Sequence, residues 1–245
     1  RKIVLVLFLA ILVPNTWQNI NSSTPKPMEV ELISSDINTT KIKFTMDGFH
    51  LIPSSESHAI SYKVRSENGA SILNPGYPDL HNMSKSIIIP DQSKMSVNII
   101  SYKYEDYENI FVIPSKGNLN REINPEDVPL TYSDAYKKNE FYPSSISELG
   151  DPYILRDLRG QTVSINPFQY NPFTKTLRVY SEVIVEVVSN GLSNNNTVER
   201  VSDSITLSSN YDEIYKEHFI NYNNDTRFQY LMDQGNMLVI SNSAF

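Results

Sequence analysis

The stretch TLRVYSEVIVEVV, residues 176–188, decides the fold. Leu177, Val179, Val183, Val185 and Val187 occupy alternate positions, and Arg178, Glu182 and Glu186 fall between them. Successive side chains of a strand point to opposite faces, so this spacing predicts a strand with one apolar face on a core and one charged face in water.

The same texture spreads outward. Short β-rich runs recur at 29–33, 41–46, 60–64, 86–89 and 95–104, and in the last Val97 and Ile99 keep the spacing of two. Residues 69–82 (GASILNPGYPDLHN) read as a loop, because Pro75-Gly76 and Pro78 interrupt any ladder. The low-complexity segment 190–197 (NGLSNNNT) reads as a turn joining strands at 183–188 and 201–207. Helical periodicity is nearly absent until residue 211. There Tyr211, Ile214, Tyr215, His218 and Phe219 form a stripe, with Ser209 or Asn210 as cap and Asp212 and Glu213 in the first turn. The pattern predicts an all-β, antiparallel sandwich with one short C-terminal helix that packs its aromatic face on the sheet. A polar linker follows at 221–225. Residues 236–241 (NMLVIS) then form a continuous apolar run of the kind that builds a strand buried on both faces, here the first strand of a truncated α/β domain.

Composition narrows the function classes. The net charge of −7, the pI near 5.1 and the lack of any lysine and arginine run after Arg1-Lys2 argue against nucleic acid and anionic membrane as partners. Zero cysteines exclude disulfides, zinc-thiolate sites and a cysteine nucleophile within these residues. The opening Arg1-Lys2 and the apolar run 3–13 (IVLVLFLAILV), stopped by Pro14, have the form of a secretory leader and are too short to span a bilayer as a helix. Its cut falls between residues 15 and 23 on this reading, so the leader is residues 1–23 and Trp17 departs with it. The address is secreted: bacterial periplasm, cell surface or exterior, with no stable membrane insertion after leader removal.

One segment does not fit a strand. Residues 114–129, PSKGNLNREINPEDVP, carry Lys116-Gly117 at a turn, Asn118, Asn120 and Asn124 with side chains that bond locally to backbone, and Pro125 and Pro129 without amide donors. This predicts an exposed loop of about 15 residues, a length at which loops in compact domains are usually functional or disordered. It presents a single arginine, Arg121. No catalytic constellation competes with it. His50, His58, His81 and His218 are scattered, and no nucleophile elbow, phosphate loop or dinucleotide fingerprint occurs. Neither a catalytic residue, a metal ligand nor a cofactor is expected. The acidic pairs Glu105-Asp106 and Glu126-Asp127 sit in turn-like contexts and read as solvated charge.

Three runs carry a resemblance: PSKGNLNREINPEDVPLTY (114–132), DPYILRDLRGQTVSINPFQYNPFTKTLRVY (151–180) and YDEIYKEHFINY (211–222). Over residues 28–245 the chain resembles the N-terminal prodomain of the gingipain-type cysteine peptidases. The resemblance implies a jelly-roll-like sandwich ahead of a caspase-like catalytic domain, whose catalytic cysteine and histidine would lie downstream. It further implies that a basic residue of one loop enters the S1 specificity pocket of that domain. By position in the matching motif this is Arg121, flanked in the inhibitory loop by Lys116, Gly117, Asn120 and Glu122. The family's processing site falls between Arg227 and Phe228, giving a prodomain over 24–227 and the start of the catalytic domain at 228–245. Gly76 to His81 keep only part of a proline-containing family segment. Arg156, Asp157 and Arg159 are expected to form a structural ion-pair and turn network. The chain is thus expected to be a zymogen prodomain whose partner is its own downstream arginine-specific cysteine peptidase, inactive by itself. A secreted carbohydrate-binding or adhesin-like sandwich module is the alternative.

Overall fold

In a computed structural model, residues 16–57, 60–200, 205–207, 209–225 and 227–230 are described. The strands begin with Trp17–Asn19 (β1), Glu29–Ser35 (β2), Thr39–Thr45 (β3), Gly48–Ser54 (β4), Ser61–Arg65 (β5) and Ala70–Ser71 (β6). His81–Ile88 (β7), Ser93–Tyr107 (β8), Ser147–Leu149 (β9), Tyr153–Leu155 (β10) and Leu158–Ile165 (β11) follow. Phe168–Asn171 (β12), Thr176–Leu192 (β13), Ile205–Leu207 (β14) and Phe228–Tyr230 (β15) complete the set among the described residues, which hold one α-helix, Asp212–His218 (α1), between the last two of these strands. All strand pairs are antiparallel except β14 with β15.

The alternating stretch is the axis of the molecule. β13 pairs with β8 along one edge and with β12 and then β3 along the other, and β2 extends the sheet beyond β3. Its apolar residues serve two cores in succession. Leu177 and Val179 pack with Phe49, Val64, Leu80 and Phe168, beneath the β1-β4-β5 sheet. Val183, Val185 and Val187 pack with Ile42 and Phe44 of β3 against Ile87, Val163 and Ile165 of the β10-β11-β7-β6 sheet. Each fully buried valine contributes on the order of 1.5–3 kcal/mol. On the other face the charges pair across strands: Glu182 with Lys43 at 3.3 Å and Lys103 at 3.1 Å, and Glu186 with Lys41 at 3.3 Å. The fold is therefore the expected antiparallel all-β sandwich with one short helix.

Several elements differ from the sequence reading. The run at 86–89 is the end of a strand that starts at His81, so the loop at 69–82 is shorter and holds the two-residue β6. β4, with Gly48 and Pro53, and β11 and β12, with many polar residues, had not been read as strands. Within 201–207 only residues 205–207 are described as strand, and they pair in parallel with Phe228–Tyr230 rather than with β13. The helix runs from 212, its preceding residue Tyr211 makes no side-chain cap bond, and Ser209–Tyr211 forms a 3-10 turn instead. Tyr215 and Phe219 of the expected stripe are buried on β7 and β11, whereas Ile214 is 49% exposed and His218 faces outward, bonded to the Tyr153 hydroxyl at 2.7 Å. Gly160 makes that contact possible, since a Cβ there would lie 2.5 Å from the Phe219 ring.

The polar cluster is reassigned in part. Arg156 does pair with Asp157 at 3.2 Å and lies 3.9 Å over the Tyr211 ring. Arg159, fully buried, instead donates to four carbonyls: Asn196 (2.7 Å), Pro90 (2.6 Å), Ser93 (2.7 Å) and Asn195 (3.0 Å). Trp17, which the sequence reading assigns to the leader, has a place in the fold. It is buried in β1, pairs with His50 on β4, and its indole nitrogen donates to the Ser22 carbonyl at 2.8 Å. The leader run 3–13 and the apolar run 236–241 lie outside the described residues.

Candidate functional site

Pro114 leaves the sheet after bridging Pro78, and Ser115 exchanges backbone bonds with Tyr77 (2.7 Å) and Gly76 (2.9 Å). The chain then forms the loop predicted from its turn formers. Gly117 adopts φ +81°, and a Cβ there would meet Pro75 at 2.7 Å, so the turn admits only glycine without rearrangement. At the tip, the Ile123 amide donates to the Asn120 carbonyl at 3.0 Å, closing a turn over Arg121 and Glu122, and the Asn120 side chain accepts from the Glu122 amide at 3.4 Å. The return limb is a 3-10 turn, Pro125–Asp127, capped by the Asn124 side chain, which accepts from the Glu126 amide at 3.2 Å.

Residues 120–127 are exposed, and among the described residues Arg121 has no hydrogen-bond or ion-pair partner. Its guanidinium projects a planar fork of donors into solvent, the group best matched to a carboxylate in a partner's pocket. The base of the loop is the opposite. The Lys116 ammonium donates to the Pro125 carbonyl at 2.6 Å and pairs with Glu56, whose other oxygen holds Lys63 at 2.8 Å. Lys116 first and Lys63 next hold the Glu56 carboxyl below its ordinary value of 4.5. Beneath the loop lies a cleft of about 340 Å³, lined in part by Leu119, Ile113 and Pro125. Glu56 is not marked by any local pattern in the sequence, and Pro75 is legible there only as a loop former. Both lie more than forty residues before Arg121, and only the fold brings them to the loop.

The second expected site has a different character. The linker 221–225 is anchored, not free: the buried Asn221 side chain accepts from the Ile88 amide at 2.7 Å and donates to the Ile88 carbonyl at 3.0 Å. Arg227 is a bidentate partner of Asp225, Nε to Oδ1 at 3.0 Å and Nη2 to Oδ2 at 2.6 Å, and its Nη1 lies 3.5 Å from Asp91. Asp91 also holds Arg200 at 2.7 Å. The Arg227 carbonyl accepts from the Ile205 amide at 2.8 Å, and the Phe228 ring sits 4.8 Å from that of Tyr222. The bond between Arg227 and Phe228 is therefore held by fold on both sides. Asp91 and Asp225 were not singled out from sequence, although Asp225 stands two residues before Arg227, the spacing of a local side-chain turn.

The described histidines are spread over separate contacts: His50 bonds the Thr16 hydroxyl at 2.8 Å and Glu67 at 2.5 Å, and His218 bonds the Tyr153 hydroxyl at 2.7 Å. His81 is buried with its Nδ1 3.2 Å from the Ser66 amide, and burial, with Arg65 nearby, pushes it down to about 4, so it is neutral.

Known proteins are similar to this chain in sequence and in fold. The family model Propeptide_C25 matches residues 19–219. Gingipain R2 of Porphyromonas gingivalis is 34% identical over 214 residues, which cover 86% of this chain and 29% of the relative. Lys-gingipain of the same organism is 25% identical over 205 residues, covering 76% of this chain and 12% of the relative. The chain thus spans less than a third of the length of these relatives. Among solved structures, a chain from the complex of P. gingivalis RgpB pro- and mature domains superposes with a TM-score of 0.72 at 34% identity, over 79% of this chain and 97% of that one. A structure on the zymogenic latency of gingipain K matches in fold, with a TM-score of 0.60 at 19% identity over 71% of this chain and 99% of that one. Because the family match runs through most of the sandwich and the 34% relative covers it too, the chain belongs to the C25 propeptide family, with the propeptides of the gingipains.

Proposed function

We propose that this chain is the inhibitory prodomain of a secreted, arginine-specific cysteine peptidase, and that Arg121 occupies the S1 pocket of the catalytic domain that follows it. The observation that carries the reading is the contrast within one loop: an exposed, unpartnered arginine at the tip and an ordered base. A guanidinium presented on a pre-ordered loop loses little conformational freedom on binding, which is how a preorganised ligand gains affinity. The relatives' context supports the partner, since the RgpB structure is a complex of pro- and mature domains. No helix among the described residues is long and apolar enough to cross a membrane. Activity is assigned to the downstream domain and not to these residues.

Release is by cleavage between Arg227 and Phe228, with the catalytic domain starting at residue 228. The leader is cut ahead of Thr16, because a later cut would remove the β1 strand that covers β4 with Trp17. The test of the inhibitory role is a titration of this chain against the mature catalytic domain. Arg121→Ala is expected to weaken inhibition by about 2–5 kcal/mol, or about 30- to several-thousand-fold, the cost of truncating one partner of a buried charged pair. Stability should change by no more than about 0.5 kcal/mol, as for other exposed positions. An inhibition constant unchanged by the substitution would reject the role of Arg121.

A further inference from the structure

An arginine offered to an arginine-specific peptidase is a substrate unless something prevents its consumption. We infer that Lys116, bridging the Pro125 carbonyl and Glu56, is the positioning residue that keeps the Arg121 loop an inhibitor rather than a substrate. The inference rests on the reading of Arg121 proposed above and adds what makes that reading workable.

The geometry is that of a closed neck. The Lys116 ammonium reaches across the loop to the Pro125 carbonyl at 2.6 Å, so the two limbs flanking Arg121 are joined nine residues apart. The same ammonium pairs with Glu56, in the turn after β4, and Glu56 is fixed in turn by Lys63 of β5 at 2.8 Å. The neck is therefore attached to the β4–β5 hairpin, not only to itself. Both limbs are stiff above it, through Gly117 against Pro75 on one side and the Asn124-capped turn on the other. The side chain of Lys116 is only 14% exposed, although it belongs to a loop whose tip is wholly in solvent. An ordinary surface ion pair contributes little. A lysine this covered, with a carbonyl and a shared carboxylate as partners, is placed to set geometry.

The consequence is chemical. Attack of the peptidase thiolate on the Arg121 carbonyl carbon forms a thioester and breaks the Arg121–Glu122 bond, and the Glu122 nitrogen leaves as an amine after taking a proton from the peptidase's general acid. With the limbs joined by Lys116, that amine stays beside the thioester at a high effective concentration. It re-attacks, gives back its proton, remakes the peptide bond and returns the thiolate before water enters. With the neck open, the amine drifts away, water hydrolyses the thioester, and Arg121 is left as a carboxylate on a cut loop.

The experiment follows the latency of the full-length precursor, with its catalytic cysteine intact, together with fragments read by mass spectrometry. Lys116→Met is expected to shorten the latent period by about tenfold, the worth of a hydrogen bond to a charged group, and to yield a new fragment ending at Arg121. Lys116→Arg, which retains charge and donors, should restore most of the latency. Should Lys116→Met fail to accumulate, Glu56→Gln keeps the bond to Pro125 while removing the charge, and should shift both readouts in the same direction by less. Wild-type latency with an intact bond between 121 and 122 in Lys116→Met, or in Glu56→Gln where that is the variant available, would overturn the inference. So would cuts spread over the domain instead of at Arg121, since they would mark general loosening. Full latency in Arg121→Ala would instead overturn the reading on which the inference stands.

Discussion

Replacing Asp225 by asparagine should accelerate release of the prodomain. The bond proposed for cleavage follows Arg227, whose side chain is 11% exposed and grips the Asp225 carboxylate with two bonds, while the Arg227 carbonyl accepts from Ile205. A peptidase cannot bind this bond as it stands. The guanidinium must leave Asp225 and Asp91 to enter an S1 pocket, and β15 must part from β14 to lie extended in a cleft. When such opening is fast relative to cutting, the rate follows the population of the open form. Asparagine retains the oxygen that accepts from the Arg227 amide at 2.9 Å but removes the charge and one of the two acceptors for the guanidinium. Complete truncation of a buried pair costs about 3–5 kcal/mol. One acceptor is kept and Asp91 remains, so about 1–2 kcal/mol is the appropriate scale. Cleavage should become about 5- to 30-fold faster. The assay uses full-length precursor with an inactivated catalytic cysteine, incubated with mature enzyme, and counts new chains starting at Phe228. Because Asp225 also lies near the scissile bond in sequence, a peptide spanning it is measured with aspartate and with asparagine, and the peptide ratio is divided out. A precursor ratio equal to the peptide ratio would mean that the fold gives Arg227 no protection.

Other consequences are testable separately. Val185→Asp places an unpaired carboxylate in the core it shares with Ile42, Phe44 and Ile87 and should abolish accumulation of folded precursor, although the residue is remote from the loop; normal maturation would refute its core role. Arg159→Met removes a charged donor from each of four carbonyls and should cost about 3 kcal/mol, lowering Tm by roughly 6–12 °C in thermal denaturation, and a fall below about 2 °C would contradict the account of its burial. Glu56 has a folded pKa below the unfolded value of 4.5, so its contribution is complete above pH 4.5 and is lost as pH falls through the lowered folded value. The amide resonance of Gly117 should therefore shift with a midpoint below 4.5 in the wild type and lose that transition in Lys116→Met; a midpoint at or above 4.5 would show that the neck does not hold Glu56 ionised.

What could be read from the sequence was decided by where polar groups find partners. β13 was legible because Leu177, Val179, Val183, Val185 and Val187 all meet apolar neighbours, in the two cores it serves. β11 was not, because Arg159 and Gln161 occupy buried positions that look solvated until carbonyls from distant segments are brought to them. Asn221 misled for the same reason. It reads as part of a polar linker, yet its amide replaces a strand partner for both backbone groups of Ile88. The helix was half legible: Tyr215 and Phe219 continue inward to Tyr222, while the 3-10 turn at Ser209–Tyr211 starts a helix too short to bury Ile214 as well. The loop at 114–129 was legible from its glycine, asparagines and prolines, since these act locally. The neck that closes it depends on Glu56, and no local rule connects the two.

The S1 placement of Arg121 is tested most directly by competition. Inhibition of the mature peptidase by this chain is measured at increasing concentrations of benzamidine, a small cation that mimics a guanidinium. If Arg121 fills S1, the apparent inhibition constant of the wild-type chain rises linearly with benzamidine, and that of Arg121→Ala, already weak, does not change with it. Simultaneous binding, with a wild-type inhibition constant that stays flat at saturating benzamidine, would contradict it.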